Sequence, residues 1–272
     1  MNSLKPTESD FAKNFAERGA NHLERGLYAA ASGMISNQAM QETLANNIAN
    51  ATTVGYKQEN DTFSAVQGMV LNRLQDGQGN GPEIGELGMG VRLSGTYTDW
   101  QQGPLAQTGR MLDASLGDNQ FFAVQTAQGV RYTRAGNFQI DGQGNLTTDS
   151  GKAILGESGQ PINVGKATEV AIDGRGNLLA NRQIVGKLGI AEADTRFLLK
   201  AGDNLFEVSN PNAIRTAANP VVRPGTLEQS NMNIVLGMVR LLTTSRSFEM
   251  SQKAVATQDE LLRQAATEVG KV

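Results

Sequence analysis

A seven-residue repeat near the C-terminal end constrains the fold of this chain more than any other feature. Large apolar residues recur at every seventh position of the row Ile234, Leu241, Phe248, Val255, Leu262 and Val269. A sustained repeat of this kind is typical of a helix that packs along another helix in a left-handed coiled coil. The alternating positions of the same face are Met238, Ser245, Gln252, Asp259 and Ala266, and only two of them are apolar. Because this face is thin, the helix would make a weak homodimer, and we expect a different partner helix.

A second amphipathic pattern lies near the N-terminus and supplies that partner. Its large apolar residues share one helical face, which consists of Leu27, Met34, Leu44 and Ile48. The segment YAAASG (28–33) presents small side chains, which permit two helices to approach closely. Since both helices are only half apolar and stand at opposite ends of the chain, we expect them to pair and to be completed by other subunits.

The N-terminal helical pattern ends within ANNIANATTVGYK (45–57). Asparagine side chains compete for the backbone, and the β-branched residues that follow them pack poorly in a helix. Gly55 can then adopt a positive φ. We therefore expect the helix to run toward Asn50 and to end in a bend that includes Asn50, Thr53, Gly55 and Tyr56.

The centre of the chain changes to a period of two with frequent glycine, as in QFFAVQTAQGVRYTRAGNFQIDGQGNLTTDSGKAILG (120–156). This pattern predicts antiparallel strands and hairpins. A short repeat, IDGQGNL at 140–146 and IDGRGNL at 172–178, predicts two tight hairpin turns. A calcium-binding loop is a poorer interpretation, because its sixth and twelfth positions require Gly and Glu. The first copy has Leu146 and Lys152 at those positions.

The fold class predicted from these patterns is α+β, with N- and C-terminal helices that pair as a coiled-coil domain and a central antiparallel β-rich domain. Segments rich in proline or glycine, at 76–90 and 209–225, separate the β-region from the helices in sequence. We expect a flexible N-terminal extension (1–22) and a helical domain (23–57 with 226–272). A connector (58–100 with 211–225) then joins the helices to a β domain (101–210).

Composition argues against several classes of partner. The net charge is −3, and no cluster of Lys or Arg offers a surface for nucleic acid or for an anionic membrane. The absence of cysteine excludes disulfides and thiolate chemistry. No apolar run approaches the roughly 20 residues that span a bilayer, and residues 1–22 lack the apolar core of a secretory signal. We expect neither a nucleic-acid partner nor stable membrane insertion.

Residues suited to catalysis are scarce. The single histidine, His22, lies outside the periodic regions, and no G-x-S-x-G motif occurs. The Gly-Lys pairs at 151–152 and 186–187 lack the remaining residues of a phosphate-binding loop. Sequence alone leaves open a pair of carboxylates arranged as in a glycosidase, but the lone Trp100 is better explained by packing under the β domain. We predict no catalytic, cofactor-binding or metal-binding residue.

Four segments, in order, resemble the axial proteins of the bacterial flagellar rod and hook. The N-terminal signature of that family is similar to LERGLYAAASGM (23–34) followed by LANNIANATTVGYK (44–57). The segment that enters its β domain resembles GMGVRLSGTYTDWQQGPLAQTGRMLDASLGDNQFFAV (88–124), and the segment that continues the domain resembles RYTRAGNFQIDGQGNLTTDSGKAILG (131–156). The C-terminal helix of the family, above all of its distal-rod member, is similar to LEQSNMNIVLGMVRLLTTSRSFEMSQKAVATQDELL (227–262).

The resemblance implies a structural subunit of the flagellar basal body in the cell envelope. Such a subunit is exported unfolded through the flagellar export apparatus and polymerises into a hollow helical rod. Its partners would be itself and other rod and hook proteins, without a cofactor, and the bend would redirect the chain from an inner helical tube to the β domain. The subunit-interface residues would be the apolar residues of both helices, Leu27, Met34, Leu44, Ile48, Ile234, Leu241, Phe248, Val255 and Leu262.

The chain departs from the family pattern at few places. Here 22 residues precede Leu23, and Phe248 stands where Tyr is frequent in the family. Two other classes of protein are alternatives, namely a peptidoglycan-acting enzyme of the cell envelope and a monomeric β-rich scaffold protein. Linear polymerisation would separate the rod subunit from both alternatives, and lysis of cell wall would identify the enzyme.

Overall fold

Two long helices stand at the ends of the chain in the computed structural model, which describes residues 8–66, 68–72, 83–88 and 90–269. These helices are α1 (Glu8–Ala49) and α2 (Ile234–Val269), and strands fill the sequence between them. The protein is therefore α+β with an antiparallel β-rich body, as predicted. Of the predicted N-terminal extension, residues 1–7 lie outside the described part and α1 begins at Glu8. Most of the predicted glycine-rich connector, at 76–82 and 89, also lies outside it.

The chain is divided into two compact units. Unit 1 contains the described residues of 1–46, 59–97 and 235–272, and unit 2 contains residues 47–58 and 98–234. The chain therefore passes between the units at 46/47, 58/59, 97/98 and 234/235.

Within unit 1, the two helices contact each other along a row of small and polar residues. Three pairs of residues meet at intervals of seven along both helices: Gly26 with Gln258, Gly33 with Ser251, and Met40 with Thr244. A β-carbon added at Gly33 would lie 3.7 Å from Ser251 Oγ. Thr244 Oγ1 lies 3.3 Å from Met40 Sδ. From one contact to the next the residue numbers increase along α1 and decrease along α2, so the helices are antiparallel where they meet.

Four strands lie mainly in the described part of unit 1: β1 (Glu59–Ala65), β2 (Met69–Asn72), β3 (Glu83–Leu87) and β4 (Val91–Thr98). β1 pairs with β4, and β2 pairs antiparallel with β3. The carboxylate of Asp61 on β1 accepts hydrogen bonds from the hydroxyl of Thr43 on α1 (3.0 Å) and from that of Thr96 on β4 (2.8 Å). Side-chain hydrogen bonds thus join this strand pair to α1.

Unit 2 consists of short strands and two short 3-10 helices. The strands are β5 (Leu105–Gln107), β6 (Ala114–Leu116), β7 (Gln120–Thr126), β8 (Gly129–Thr133), β9 (Gln139–Ile140), β10 (Leu146–Thr147), β11 (Val170–Ile172), β12 (Asn177–Ala180), β13 (Gln183–Lys187), β14 (Ile190–Ala193), β15 (Leu198–Lys200), β16 (Leu205–Val208), β17 (Ile214–Thr216), β18 (Val222–Pro224) and β19 (Thr226–Glu228). The 3-10 helices are Thr195–Phe197 and Pro211–Ala213.

A six-stranded antiparallel sheet in the order β15-β16-β8-β7-β14-β17 is the largest sheet of unit 2. A three-stranded sheet, β11-β12-β13, and the pairs β9/β10, β6/β18 and β5/β19 accompany it. The segment 209–225, predicted as a connector, contains β17 and β18, and both pair with strands of unit 2. Its prolines and asparagines mark the ends of short strands rather than an unpaired segment.

The core of unit 2 is mainly aliphatic, with aromatic contacts inside it. Phe122 and Phe138 are completely buried and pack edge to face, with ring centroids 4.8 Å apart. The Trp100 ring packs against Phe121 at 5.7 Å and against Phe206 at 4.9 Å between centroids. Trp100 therefore has the packing role that the sequence indicated.

The two copies of the internal repeat form hairpin turns, as predicted, between β9 and β10 and between β11 and β12. In the first copy Asp141 Oδ1 accepts backbone hydrogen bonds from Gln143 and Asn145, both at 2.8 Å. Asp173 makes the same two contacts at the same distance in the second copy. The hydrogen bonds from the side chain and backbone of Asn145 lower the pKa of Asp141. Each carboxylate is thus hydrogen-bonded within its own turn.

Candidate functional site at the meeting point of three sequence motifs

The predicted bend residues form one series of turns after α1 ends at Ala49. Thr53 donates to Asn50 twice, from its N–H to the carbonyl (3.1 Å) and from its hydroxyl to Oδ1 (3.3 Å). The Tyr56 N–H donates to the Thr53 carbonyl (3.3 Å), and the buried Tyr56 hydroxyl donates to Asn47 Oδ1 (3.0 Å). These bonds fix the path of the chain as it leaves α1.

Gly55 occupies a position of the bend that a larger residue cannot take. Its φ is 68°, in the left-handed region that favours glycine. A β-carbon here would lie 2.5 Å from the carbonyl carbon of Arg134. The Gly55 N–H also donates to the carbonyl of Glu228 at 2.7 Å. Both backbone conformation and close approach therefore require glycine.

A buried group of charged side chains lies next to the bend, and we term it the Glu228 cluster. Lys57 Nζ lies 2.6 Å from Glu228 Oε1. The guanidinium of Arg134 contacts Glu228 Oε2 through Nε at 2.8 Å and also through Nη2. The side chains of Lys57, Arg134 and Glu228 are 2%, 3% and 1% exposed. The carboxylate of Glu228 thus joins three of the sequence segments quoted above. One segment ends in GYK, one begins with RYTR and one begins with LEQSN.

The Lys57 ammonium is held by Glu228 and by backbone. Its Nζ donates a hydrogen bond to the carbonyl of Gln101 at 2.6 Å. Burial lowers the pKa of Lys57, the charge of Glu228 opposes that shift, and the charge of Arg134 adds to it. Two cations share one carboxylate, so the three side chains carry a net positive charge while Lys57 is protonated.

Backbone groups also complete the hydrogen bonding of the other two members. Arg134 Nη1 donates to the carbonyls of Gly117 (2.6 Å) and Gln120 (2.7 Å). Glu228 Oε1 accepts a further hydrogen bond from the N–H of Gly103 at 3.0 Å. The carboxylate of Glu228 thus neutralises part of the positive charge of Lys57 and Arg134. All three charged groups are held in place and shielded from solvent.

The side chain of Asn231 and the backbones of Gln58 and Asp99 join segments through which the chain enters and leaves unit 2. The Gln58 N–H donates to Asn231 Oδ1 at 2.8 Å. Asn231 Nδ2 donates to the carbonyl of Asp99 at 2.8 Å, and the Asp99 N–H donates to the carbonyl of Gln58 at 2.9 Å. Each of these residues lies near a different point where the chain passes between the units.

The predicted subunit-interface residues differ in burial. Leu44 is buried and Ile234 is exposed, whereas the others are half-buried, namely Leu27, Met34, Ile48, Leu241, Phe248, Val255 and Leu262. Leu241, Phe248 and Val255 each precede by three positions a residue of α2 that contacts α1. Residues three apart lie on the same side of a helix. These predicted residues therefore lie on the side of α2 that meets α1.

A second apolar face of α2 was not predicted from the sequence. It consists of Val235, Val239 and Leu242, which are 73%, 52% and 62% exposed. At about 100° per residue, these three lie roughly opposite the residues that contact α1. The run NIVLGMVRLL (233–242) contains the signal, because it has more apolar residues than one helical face can hold.

The Glu228 cluster was also not predicted as a site. Its only local signal is a charged residue within an otherwise apolar or small-residue motif, as Lys57 is in TTVGYK. Among the described residues, no group of His, Asp and Glu could hold a metal ion. No helix in the described part of the chain is long and apolar enough to cross a membrane.

Comparison with known protein families assigns this arrangement to the axial structural proteins of the bacterial flagellum. Residues 27–57 match the family model "Flagella basal body rod protein", and residues 117–180 match "Flagellar hook protein FlgE/F/G D1 domain". Residues 223–268 match "Flagellar basal body rod FlgEFG protein C-terminal". Each of the three matched segments contributes one member of the Glu228 cluster.

Similarity to individual proteins extends over most of the chain. The chain is 30% identical over 259 residues to the flagellar basal-body rod protein FlgG of Bacillus subtilis (strain 168). This alignment covers 88% of the chain and 97% of the relative. The chain is 32% identical over 270 residues to the flagellar hook-basal body complex protein FlhO of the same organism, covering 91% and 99%. It is 29% identical over 252 residues to the flagellar basal-body rod protein FlgF of Caulobacter vibrioides, covering 92% and 100%.

The chain belongs to the flagellar basal-body rod protein family. It is a structural protein of the flagellar basal body and not an enzyme, which confirms the resemblance seen in the sequence.

Proposed function

We propose that the chain is exported unfolded by the flagellar export apparatus and polymerises into a hollow helical rod. Its partners in this proposal are further copies of itself and other rod and hook proteins. Family membership supports the proposal, and so does the absence of cysteine, which leaves no disulfide to be reduced before export. A net charge of −3 without a basic cluster supports neither a nucleic-acid partner nor stable membrane insertion.

In this proposal α1 and α2 pair as an antiparallel coiled coil. The three contacts at intervals of seven support this arrangement, since such an interval keeps the same faces together along both helices. Small residues on α1, such as Gly33, allow the helices to approach closely. The predicted seam of Leu241, Phe248 and Val255 then packs against the chain's own α1.

The observation that carries the proposal of polymerisation is the second apolar face of α2. Val235, Val239 and Leu242 are exposed in the single chain, and an exposed contiguous apolar surface usually marks an interaction site. The face they form lies opposite the α1 contacts, so a neighbouring subunit can cover it while the helix pair stays intact. Repeated contacts between different surfaces of identical subunits generate an open helical assembly.

The predicted division of the chain fits this scheme. In this proposal the helical domain (23–57 with 226–272) forms subunit contacts through the apolar residues of both helices. The connector (58–100 with 211–225) joins it in sequence to the β domain (101–210). The bend at Asn50, Thr53, Gly55 and Tyr56 directs the chain from one to the other. In this proposal the N-terminal extension (1–22) is a segment separate from the helical domain.

The double variant Val239→Ser, Leu242→Ser tests the second apolar face. Because both side chains are already exposed, we expect the free energy of unfolding of the purified chain to change by less than about 0.5 kcal/mol. The same variant should be missing from isolated basal bodies and should abolish swimming, since it removes the apolar surface that a neighbour would cover.

A matched control is Glu249→Ser, Lys253→Ser, which changes two exposed residues farther along the same side of α2. This control should assemble and support swimming. Wild-type amounts of the Val239, Leu242 variant in basal bodies, together with normal swimming, would show that subunits do not meet through this face.

A further inference from the structure

Glu228 makes ion pairs with residues that are far from it in the sequence. Lys57 precedes it by 171 positions and Arg134 by 94. Glu228 itself ends β19, which is the last strand before α2. The cluster can therefore form only when the beginning, the middle and the end of unit 2 have come together.

Because the cluster is charged, unit 2 needs all three side chains together before it can close. Without Glu228, unit 2 would enclose two cations whose other hydrogen-bond partners are neutral backbone carbonyls. These belong to Trp100 and Gln101 for Lys57, and to Gly117 and Gln120 for Arg134. Burial of a cation without a hydrogen-bonded counter-ion is strongly unfavourable. The body of unit 2 should therefore resist closing around Lys57 and Arg134 until a carboxylate is present between them.

We propose that Glu228 is a folding switch, which prevents unit 2 from closing until its last strand, β19, has docked. The Gly55 N–H, which donates to the Glu228 carbonyl, makes the bend after α1 part of the same event. In a chain that leaves an export channel N-terminus first, β19 arrives after every other strand of unit 2. Closure would then follow delivery of the whole body; that consequence rests on the export proposed above, whereas the switch itself does not.

A double-mutant cycle on the full chain measures the coupling between the charges. Glu228→Gln keeps the shape of the side chain but removes its charge, and Lys57→Met removes one cation while keeping the length of the stem. In the wild-type background, Glu228→Gln should lower the folding equilibrium constant of unit 2 by about a hundredfold or more, measured by urea unfolding. In the Lys57→Met background, the same change should lower that constant at least about tenfold less.

The folding kinetics separate a switch from a contact that forms after closure. If Glu228 docks before unit 2 closes, Glu228→Gln should act mainly by slowing refolding in stopped-flow measurements, and the unfolding rate should change little. A loss confined to faster unfolding would show that the body closes first, and it would overturn the switch.

The test remains decisive when Glu228→Gln alone fails to fold. In that case the triple variant Lys57→Met, Arg134→Met, Glu228→Gln should recover a folded unit 2, because both uncompensated cations have been removed. An equal loss from Glu228→Gln in both backgrounds, or a triple variant no more folded than Glu228→Gln, would show that the charge of Glu228 is not what allows closure.

Discussion

In unit 2, Phe122, Phe138 and Phe206 are completely buried, whereas on α2 of unit 1 Val235 and Leu242 are mostly exposed. The β-rich body buries these rings in an extended apolar core, although other apolar side chains of unit 2, such as Ile184 and Leu199, are exposed. The helix covers one apolar face and leaves another in solvent. Burial of apolar surface is the main favourable term in folding. The free energy that orders unit 2 is therefore available within one chain, whereas α2 keeps apolar surface that the single chain does not bury.

The difference also concerns how tightly the backbone is held. The bend of unit 2 is enclosed by hydrogen bonds and by the Glu228 cluster, and Gly55 has no room for a side chain. The helix contacts at Gly33 leave ordinary van der Waals distance for a β-carbon. A body with such a fixed interior keeps its shape, and helices with looser contacts can adjust to their neighbours.

We expect the largest difference between unit 2 and α2 when a large apolar side chain is truncated in each. Phe122→Ala should lower the free energy of unfolding of unit 2 by about 3–5 kcal/mol, because it leaves a cavity next to Phe138. Leu242→Ala, the counterpart on α2, should change the free energy by less than about 0.5 kcal/mol in the isolated chain. Urea unfolding followed by tryptophan fluorescence measures the first, because Trp100 packs in unit 2, and circular dichroism at 222 nm measures the second. Equal losses would mean that the exposed helix face is packed after all.

A smaller effect is expected from adding one methyl group to glycines of the two regions. Gly55→Ala should destabilise unit 2 by about 2–3 kcal/mol, because it combines a positive φ with a clash against the Arg134 backbone. Gly33→Ala should be neutral or stabilise α1 by up to about 1 kcal/mol, since alanine is the better helix former.

The control for Gly55 is Gly151→Ala, where φ is +76° but nothing lies within 4 Å of the added β-carbon. This variant isolates the backbone strain and should lose about 1 kcal/mol. Thermal unfolding of the three variants ranks them, and a loss at Gly55 no larger than that at Gly151 would show that the bend is not tightly enclosed.

The smallest effect is expected at the tip of the β12–β13 hairpin. Asn181 and Arg182 form its two-residue turn, and both have positive φ, at 50° and 68°. Arg182→Gly removes a side chain from an unfavourable backbone conformation and should stabilise unit 2 by about 0.5 kcal/mol. Differential scanning calorimetry should show a small rise in Tm for unit 2 and no change in the helices.

Arg175→Gly is the matched comparison, since Arg175 lies in another turn of the same sheet and does not have a positive φ. This substitution adds freedom to the unfolded chain without relieving strain, and it should destabilise unit 2 slightly. A rise in Tm for both variants would show that loss of charge, rather than relief of strain, explains the result at Arg182.

Features set by local chemistry were predictable from the sequence. The repeat at 140–146 and 172–178 predicts hairpin turns because Asp, Gly and Asn satisfy the turn within a few residues of one another. The N-terminal helix was expected to run toward Asn50 and ends at Ala49, where residues of poor helix propensity follow. The seven-residue repeat on α2 predicts a face that packs, but spacing does not reveal whether the partner is another part of the chain or another subunit.

Features set by residues distant in sequence were not predictable. The motif around Lys57 shows only a charged residue among small and apolar ones, and nothing near Glu228 indicates that its carboxylate lies between two cations. Their meeting depends on how segments separated by 171 and 94 positions are arranged. The exposed apolar face of α2 was missed for a related reason, because hydrophobicity alone does not distinguish a buried face from one that is exposed in the single chain.

The hydrogen bonds among Gln58, Asp99 and Asn231 have a consequence for the evolution of such chains. They bring side by side three of the four places where the chain enters or leaves unit 2. A domain with neighbouring ends can be replaced by a larger or smaller one with little change in the sequences on either side. Unit 2 is in this sense an interchangeable module, and a lineage can change its size or its surface while the sequences of the two helices stay the same.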